Sequence, residues 1–261
     1  HVSSRRQRQM CIRDRVTGHK GFIGKEVYNF LSEHFDVDGL DRPDDIGDFI
    51  RWASSASGST QYDLIVHLAA YAALRDSVDN PDKFWENNVL KSQPIFDYCR
   101  RNNTRLLYAS SAGAYSWWQN PYAITKKVNE IQAPPNSVGM RFFNVWAEEG
   151  SRDDMLYEML KQGTAKYITR HKRDWVHVLY VVRALTILIT STFTGTIDVG
   201  TGQMTSVIDL ANAMGMGHLP IKEDTPNEPD ELCANVAPLM ELGWFPTLNI
   251  LDTVIAKSDS V

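Results

Sequence analysis

The stretch VTGHKGFIG, residues 16–24, sets Gly18, Gly21 and Gly24 at three-residue intervals between a strand end and a helix start. Glycines allow a tight turn there and let backbone N–H groups approach a pyrophosphate at the helix N-terminus. Three spaced glycines are a weak signal alone. The next strand, DVDGL (36–40), ends beside Asp41, 17 residues beyond Gly24. A carboxylate at that point accepts hydrogen bonds from ribose hydroxyls and repels a 2′-phosphate. The expected cofactor is therefore NAD rather than NADP; the adjoining Arg42, the one neighbour that would suit NADP, falls in the same predicted cofactor set. A merely structural turn beside a solvated loop end explains the glycines but not the strand–turn–helix–strand context.

Working outward, strand-like and helix-like segments alternate, which predicts an α/β fold with a parallel sheet covered by helices. Further strands are DLIVHLA (63–69), RLLYAS (105–110), SVGMRFF (137–143) and GTIDVG (195–200), short and apolar on both faces as buried parallel strands are. Helices are expected near 22–34, 81–102, 122–132, 179–192, 205–214 and 249–257, with loops at 54–60 and 225–231. The longest apolar run, VLYVVRALTILI, is broken by Arg183 and too short for a bilayer, so it reads as a core helix.

Composition narrows the function classes. The chain has 261 residues, 43% hydrophobic and 23% charged, with a net charge of −5. Without residues 1–15, which hold five Arg and one Asp, the 27 basic and 32 acidic residues fall to 22 and 31, a net of −9. An acidic body argues against nucleic acid, and no segment suggests a membrane. Cys11, Cys99 and Cys233 are scattered and odd in number, and no histidine pair has ligand spacing. These features predict no metal, no disulfide framework and a cytoplasmic setting.

Tyr122 and Lys126, in PYAITKK, are four apart and share a helix face. A phenol, with a reference pKa of about 10, is a poor base near neutrality. An adjacent ammonium, together with a positive nicotinamide ring, lowers it, and the tyrosine can take a proton from a substrate hydroxyl as hydride leaves. Ser111, at the end of YASS, would hydrogen-bond the same oxygen. A Tyr–Lys pair alone is common on amphipathic helices. The glycine turn and the SSA strand end before it make the catalytic reading the stronger one.

The chain from Val16 to about Val254 resembles the extended short-chain dehydrogenase/reductases, the NAD-dependent nucleotide-sugar epimerase/dehydratase family. The resemblance rests on ordered motifs: VTGHKGFIG, HLAA (67–70), NPDKFWENNV, YASSAGAY, PYAITK, RFFNV (141–145), RDWVHV (173–178), VGTGQMTSVIDLA (199–211) and ELGWFP (241–246). It implies a Rossmann-type doubly wound sheet with a small C-terminal substrate lobe. The expected division is 16–146 and 173–200 for the NAD-binding domain, and 147–172 with 201–261 for the lobe. By the same resemblance Ser111, Tyr122 and Lys126 are catalytic. Thr17, Gly18, Gly21, Phe22, Ile23, Gly24, Asp41, Arg42, Leu68, Ala69, Ala70 and Asn88 would meet the cofactor together with Tyr122 and Lys126. Asn144 and Arg173 would hold the nucleotide-sugar, the arginine at its phosphates.

Dehydratases of the family carry an Asp-Glu pair where this chain has Ala112 and Gly113, so SSAGAY resembles the epimerase version. The implied activity is epimerisation through a keto-sugar, UDP-glucose 4-epimerase-like. The alternatives are a keto-sugar reductase, a heptose-nucleotide 6-epimerase, or a non-catalytic dinucleotide-binding module. Six residues, SWWQNP, separate Tyr115 from Tyr122, where relatives insert a longer loop; Trp117 and Trp118 could stack on a ligand or simply pack. Pro134 and Pro135 end the catalytic helix early, which weighs against the family's usual homodimer.

Residues 1–15 contrast with all of this. RRQRQMCIRD (5–14) reads as one frame of a common sequencing adapter, so this segment is expected to be foreign to the protein. Cys11, Ile12 and Val16 would then stand in for the first strand, with Arg13, Asp14 and Arg15 interrupting it at a cost of several kcal/mol unless those charges stay solvated.

Overall fold

A computed structural model describes residues 13–41, 62–223 and 225–258; residues 1–12, Arg42 and the 54–60 loop lie outside this set. The first half of the chain gives β1 (Arg13–Thr17), α1 (Phe22–Ser32), β2 (Asp36–Leu40), β3 (Leu64–His67), α2 (Leu74–Asp79), α3 (Pro81–Trp85), α4 (Gln93–Asn102), β4 (Arg105–Ser111) and α5 (Pro121–Gln132). Then follow β5 (Ser137–Phe142), β6 (Asn144–Trp146), α6 (Leu156–Lys161), β7 (Lys172–His177), α7 (Val178–Thr190) and β8 (Gly195–Val199). The last are β9 (Met204–Ser206), α8 (Val207–Ala213), β10 (Glu231–Leu232), α9 (Ala237–Glu241) and α10 (Ile250–Ser258).

The described residues form a parallel sheet of order β2-β1-β3-β4-β5-β8. Alternate residues of each strand face opposite layers. Leu64, Val66, Leu107, Met140 and Ile197 join Val27 and Leu31 of α1 and Val181, Leu185 and Leu188 of α7 in one core. Ile65, Leu106 and Tyr108 face Ile95, Phe96 and Cys99 of α4 on the other side. Helices on both faces of a parallel sheet give the expected doubly wound, Rossmann-type fold. Arg183, the one charge in the α7 run, is exposed, as a core helix with one wet stripe requires. Among the described residues no helix is long and apolar enough to cross a membrane.

Three local readings change. The helix expected over 81–102 is α3, a π-helical turn at Glu86–Leu90, and α4. Pro94 in the first turn of α4 cannot donate to a carbonyl four residues earlier, which breaks the run. β6, β7, β9 and β10 form a second sheet of order β10-β7-β6, with β9 antiparallel to β7. The charges of KRDWVH hid β7. Tertiary partners permit its burial: Asp174 accepts from Thr201 N at 2.6 Å, Thr201 Oγ1 at 2.7 Å and Gly202 N at 2.8 Å.

The third change concerns β1, which runs unbroken through Arg13, Asp14 and Arg15 between β2 and β3. The parallel ladder uses backbone groups only, so side-chain charge does not stop it. Arg15 lies 4.7 Å over the Tyr62 ring and 3.6 Å from Asp38. Asp14, on the same face as Val16, is 2% exposed, and its Oδ1 has no hydrogen-bond partner among the described residues. Burial, with Asp63 and Asp36 nearby, pushes its pKa up to about 7.

Candidate active site

The glycine turn follows β1 directly. Gly18 has φ +77°, and a Cβ there would stand 2.7 Å from the Ala69 nitrogen. A Cβ on Gly24 would stand 1.9 Å from the Gly18 carbonyl oxygen, so α1 can pack onto the turn only with glycine at that position. Gly21 is the N-cap of α1 and offers no side-chain acceptor, and the first turn of α1 holds no acidic residue. The positive end of this 11-residue helix is thus left for an external anion. Lys20 N donates to Asp41 Oδ2 at 2.7 Å, which sets the carboxylate at the tip of β2 beside the turn. The residues present fit a dinucleotide: small where backbone must approach, acidic where a ribose needs acceptors.

A chain of hydrogen bonds supports the turn from below. The Ser92 hydroxyl donates to Asn88 O at 2.8 Å, so it accepts from His67 Nε2, also at 2.8 Å. His67 Nδ1 then accepts from the Thr17 hydroxyl at 2.7 Å. Burial, and then the Lys126 charge, lower the His67 pKa to about 3, so the ring is neutral.

The three residues expected to be catalytic, Ser111, Tyr122 and Lys126, come from β4 and α5. Asn120 caps α5, its Oδ1 accepting from Ala123 N at 2.8 Å, and Pro121 starts the first turn. Tyr122 and Lys126 therefore project one turn apart toward β4. Lys126 is 3% exposed, and its Nζ donates to Ala109 O at 2.8 Å and lies 5.8 Å from the Tyr122 ring centroid. Burial lowers its pKa to about 8. Burial raises the Tyr122 phenol above its ordinary value, against a hydrogen bond from Ser111 and the Arg152 charge, which pull it down. The expected lowering of this phenol is thus not achieved by the chain's own groups, because desolvation outweighs both.

Behind this triad Arg141 makes a two-pronged contact with Glu130 of α5, at 2.7 and 2.8 Å, and Ser110 donates to Glu130 at 2.7 Å. Tyr115 donates to Asp198 at 2.9 Å and carries Arg141 4.3 Å over its ring. The segment between Ser111 and α5 is thereby fixed to β5 and β8.

Turn and triad line one cleft of about 970 Å³. Of the residues expected at the site, Gly18, Gly21, Phe22, Ile23, Gly24, Leu68, Ala70, Ser111, Tyr122, Lys126, Asn144 and Arg173 line it. Thr17, Asp41, Ala69 and Asn88 are not among its lining residues. Thr17 sits beneath the turn, and Ala69 packs under Gly18. Asn88 is 1% exposed; its Oδ1 accepts from Tyr71 N at 2.8 Å and its Nδ2 donates to Tyr71 O at 2.9 Å, so it braces the cleft wall from behind. Trp117 and Trp118 lie outside the cleft, a T-shaped pair 43% and 65% exposed.

Five further lining residues carried no local signal in the sequence: Arg75, Arg152, Tyr167, His171 and Glu228. Glu228 falls in a stretch read as loop by composition. Among the described residues no three His, Cys, Asp or Glu side chains gather as metal ligands.

The model of the NAD dependent epimerase/dehydratase family matches residues 15–200. CapI of Staphylococcus aureus is 28% identical over 64% of this chain and 55% of its own length. UDP-glucose 4-epimerase of Pisum sativum is 23% identical over 88% of this chain and 89% of its own. The structure of MoeE5 in complex with UDP-glucuronic acid and NAD superposes with a TM-score of 0.79 at 22% identity, covering 95% of this chain and 100% of that one. The chain spans 55–61% of the length of several curated relatives, CapI among them.

Proposed function

The chain belongs to the NAD-dependent epimerase/dehydratase family, and from that premise we propose that it epimerises a nucleotide-sugar through a transient keto-sugar. One observation carries the reading: Ser111, Tyr122 and Lys126 converge on the cleft that the glycine turn opens into. Gly18, Gly21, Phe22, Ile23 and Gly24 would hold the dinucleotide, with Asp41 at its ribose. Bound NAD would accept and return hydride, and its cationic ring would bring the Tyr122 phenol toward neutrality.

The chain's own residues handle the proton. Ser111 and Tyr122 share one sugar hydroxyl, and the phenolate removes its proton as the carbonyl forms. The Lys126 ammonium, aimed by its bond to Ala109 O, stabilises that phenolate. After the sugar turns over, so that the opposite face of its carbonyl carbon meets the returning hydride, the phenol gives the proton back to the carbonyl oxygen. Elimination of water would need an acid and a base beside Ser111; Ala112 and Gly113 supply neither. Asn144 and Arg173 would hold the nucleotide end.

The test is interconversion of a UDP-hexose pair by NAD-loaded protein. Tyr122→Phe is expected to abolish turnover while NAD still binds; full activity in that variant would exclude this mechanism.

A further inference from the structure

Asn120 stands at the head of α5, 4% exposed, on the wall of the cleft. Each end of its side-chain amide is taken by backbone. Oδ1 accepts from Ala123 N at 2.8 Å, which caps the helix. Nδ2 donates to Asn227 O at 3.0 Å, across 107 residues of chain. A cap needs the acceptor alone, and serine or aspartate supplies that equally well. The donor is what asparagine adds, and it reaches a different part of the fold.

That part is the segment 225–230, which is fastened to the second sheet. It runs into β10, the parallel partner of β7. Lys172 N and Arg173 Nη1 each donate to Asp230 O at 2.9 Å, and Thr225 Oγ1 lies 2.9 Å from His171 Nε2. Between these anchors Asn227 takes φ +72°, in the left-handed region that asparagine enters more readily than most residues. Its carbonyl meets Asn120, and the next two residues, Glu228 and Pro229, line the cleft.

A second tie runs in parallel through α2. Arg75 Nε donates to Glu228 Oε1 at 3.0 Å, and Arg75 Nη1 donates to the Tyr167 hydroxyl at 2.8 Å. Two residues along the same helix, the buried Ser77 hydroxyl accepts from Tyr122 N at 3.1 Å. The backbone nitrogens of Tyr122 and Ala123 are thus held by two side chains whose elements both reach segment 225–230. The Arg75 side chain is 57% exposed, and an ion pair so open to water is weak. The buried Asn120 amide is the firmer of the two ties.

We propose that Asn120 is a positioning residue that makes the placement of Tyr122 depend on the far wall of the cleft. Its acceptor sets the first turn of α5, and its donor locks that turn to the wall carrying Glu228. A substrate spanning the cleft then meets the phenol and the far wall in one fixed relation. This role rests on the reading of Tyr122 as the proton-handling residue, and its test separates the two.

Asn120→Ser keeps the cap acceptor and is too short to reach Asn227 O. Capping alone therefore predicts wild-type behaviour for Asn120→Ser and a defect only in Asn120→Ala; the tie predicts a defect in both. Hydrogen exchange on NAD-loaded protein reads the tie without any turnover. In Asn120→Ser, exchange is expected to rise about tenfold both in segment 225–230 and in the first turn of α5, the scale of one buried hydrogen bond. With a nucleotide-sugar, kcat should fall about tenfold while KM stays within about twofold, the split expected of a misplaced proton-transfer group. Asn120→Asp, which also caps but sets a carboxylate against Asn227 O, should show the same pattern and stands in if the serine variant does not fold. Wild-type exchange in either segment overturns the tie, as does a wild-type kcat, whether or not KM rises. Loosening of both segments in a protein that turns over no nucleotide-sugar supports the tie and removes the epimerase reading instead.

Discussion

Lys126 Nζ donates to the carbonyl oxygen of Ala109 at 2.8 Å, pinning the helix that carries Tyr122 to the strand that ends at Ser111. That bond sets the separation of the two groups that the proposed mechanism brings to one sugar hydroxyl, and it keeps the Lys126 amine beside the phenol. Replacing the lysine removes both. Lys126→Met is expected to lower kcat by about a hundredfold or more, the usual scale for a displaced proton-transfer group. The amine, pulled to about 8 by burial, is charged below that pH and neutral above it. Turnover of the wild type should therefore fall as pH rises through about 8, measured as kcat/KM against pH. The residual activity of Lys126→Met should lack that limb.

Gly24 and Gly18 touch so closely that a single methyl distinguishes their roles. A Cβ on Gly24 would stand 1.9 Å from the Gly18 carbonyl oxygen, within backbone that has nowhere to move. Gly24→Ala is expected to weaken NAD binding at least tenfold, read by fluorescence titration of the cofactor. Lys25→Ala, one residue along on the exposed side of α1, should leave that affinity unchanged.

Asp14 makes stability depend on pH in an unusual direction. Its pKa rises from 3.8 unfolded to about 7 folded, so the folded state holds the proton more tightly. Its contribution is fully present below pH 3.8 and is lost as pH climbs to 7. Discounted for partial solvent access, the loss is on the order of 3 kcal/mol. Asp14→Asn should match the wild type near pH 4 and become the more stable protein by pH 8, measured by urea unfolding. Asp14→Val should add a further gain by filling an apolar layer.

His67 acts on the other side of neutrality. Its pKa falls from 6.5 unfolded to about 3 in the fold, so the buried ring stays neutral. The stability it contributes is complete above pH 6.5 and declines toward pH 3, by about 1.4 kcal/mol per unit. His67→Gln, which loses the titration along with part of the Thr17–Ser92 bridge, should be less stable than wild type at pH 7. That deficit should shrink as the solution is acidified.

What the sequence determined by itself is local. The spacing of Gly18, Gly21 and Gly24, the apolar strands LIVH and RLLYASS, and the four-residue step from Tyr122 to Lys126 all act within a few residues of chain. Backbone dihedrals and side-chain periodicity therefore expose the sheet, the turn and the helix that carries Tyr122 and Lys126 directly. The tertiary structure decided whatever depends on distant partners. KRDWVH becomes a buried strand because Thr201 and Gly202 satisfy Asp174. Asn88 braces a wall because α5 and the 68–73 segment close around it. Arg75 and Glu228 meet across 153 residues of chain. Burial, which no short window of sequence reports, sets the Tyr122 phenol above and the Lys126 amine below their ordinary values. Electrostatics in this cleft follows from which surfaces exclude water, and packing of the whole chain settles that.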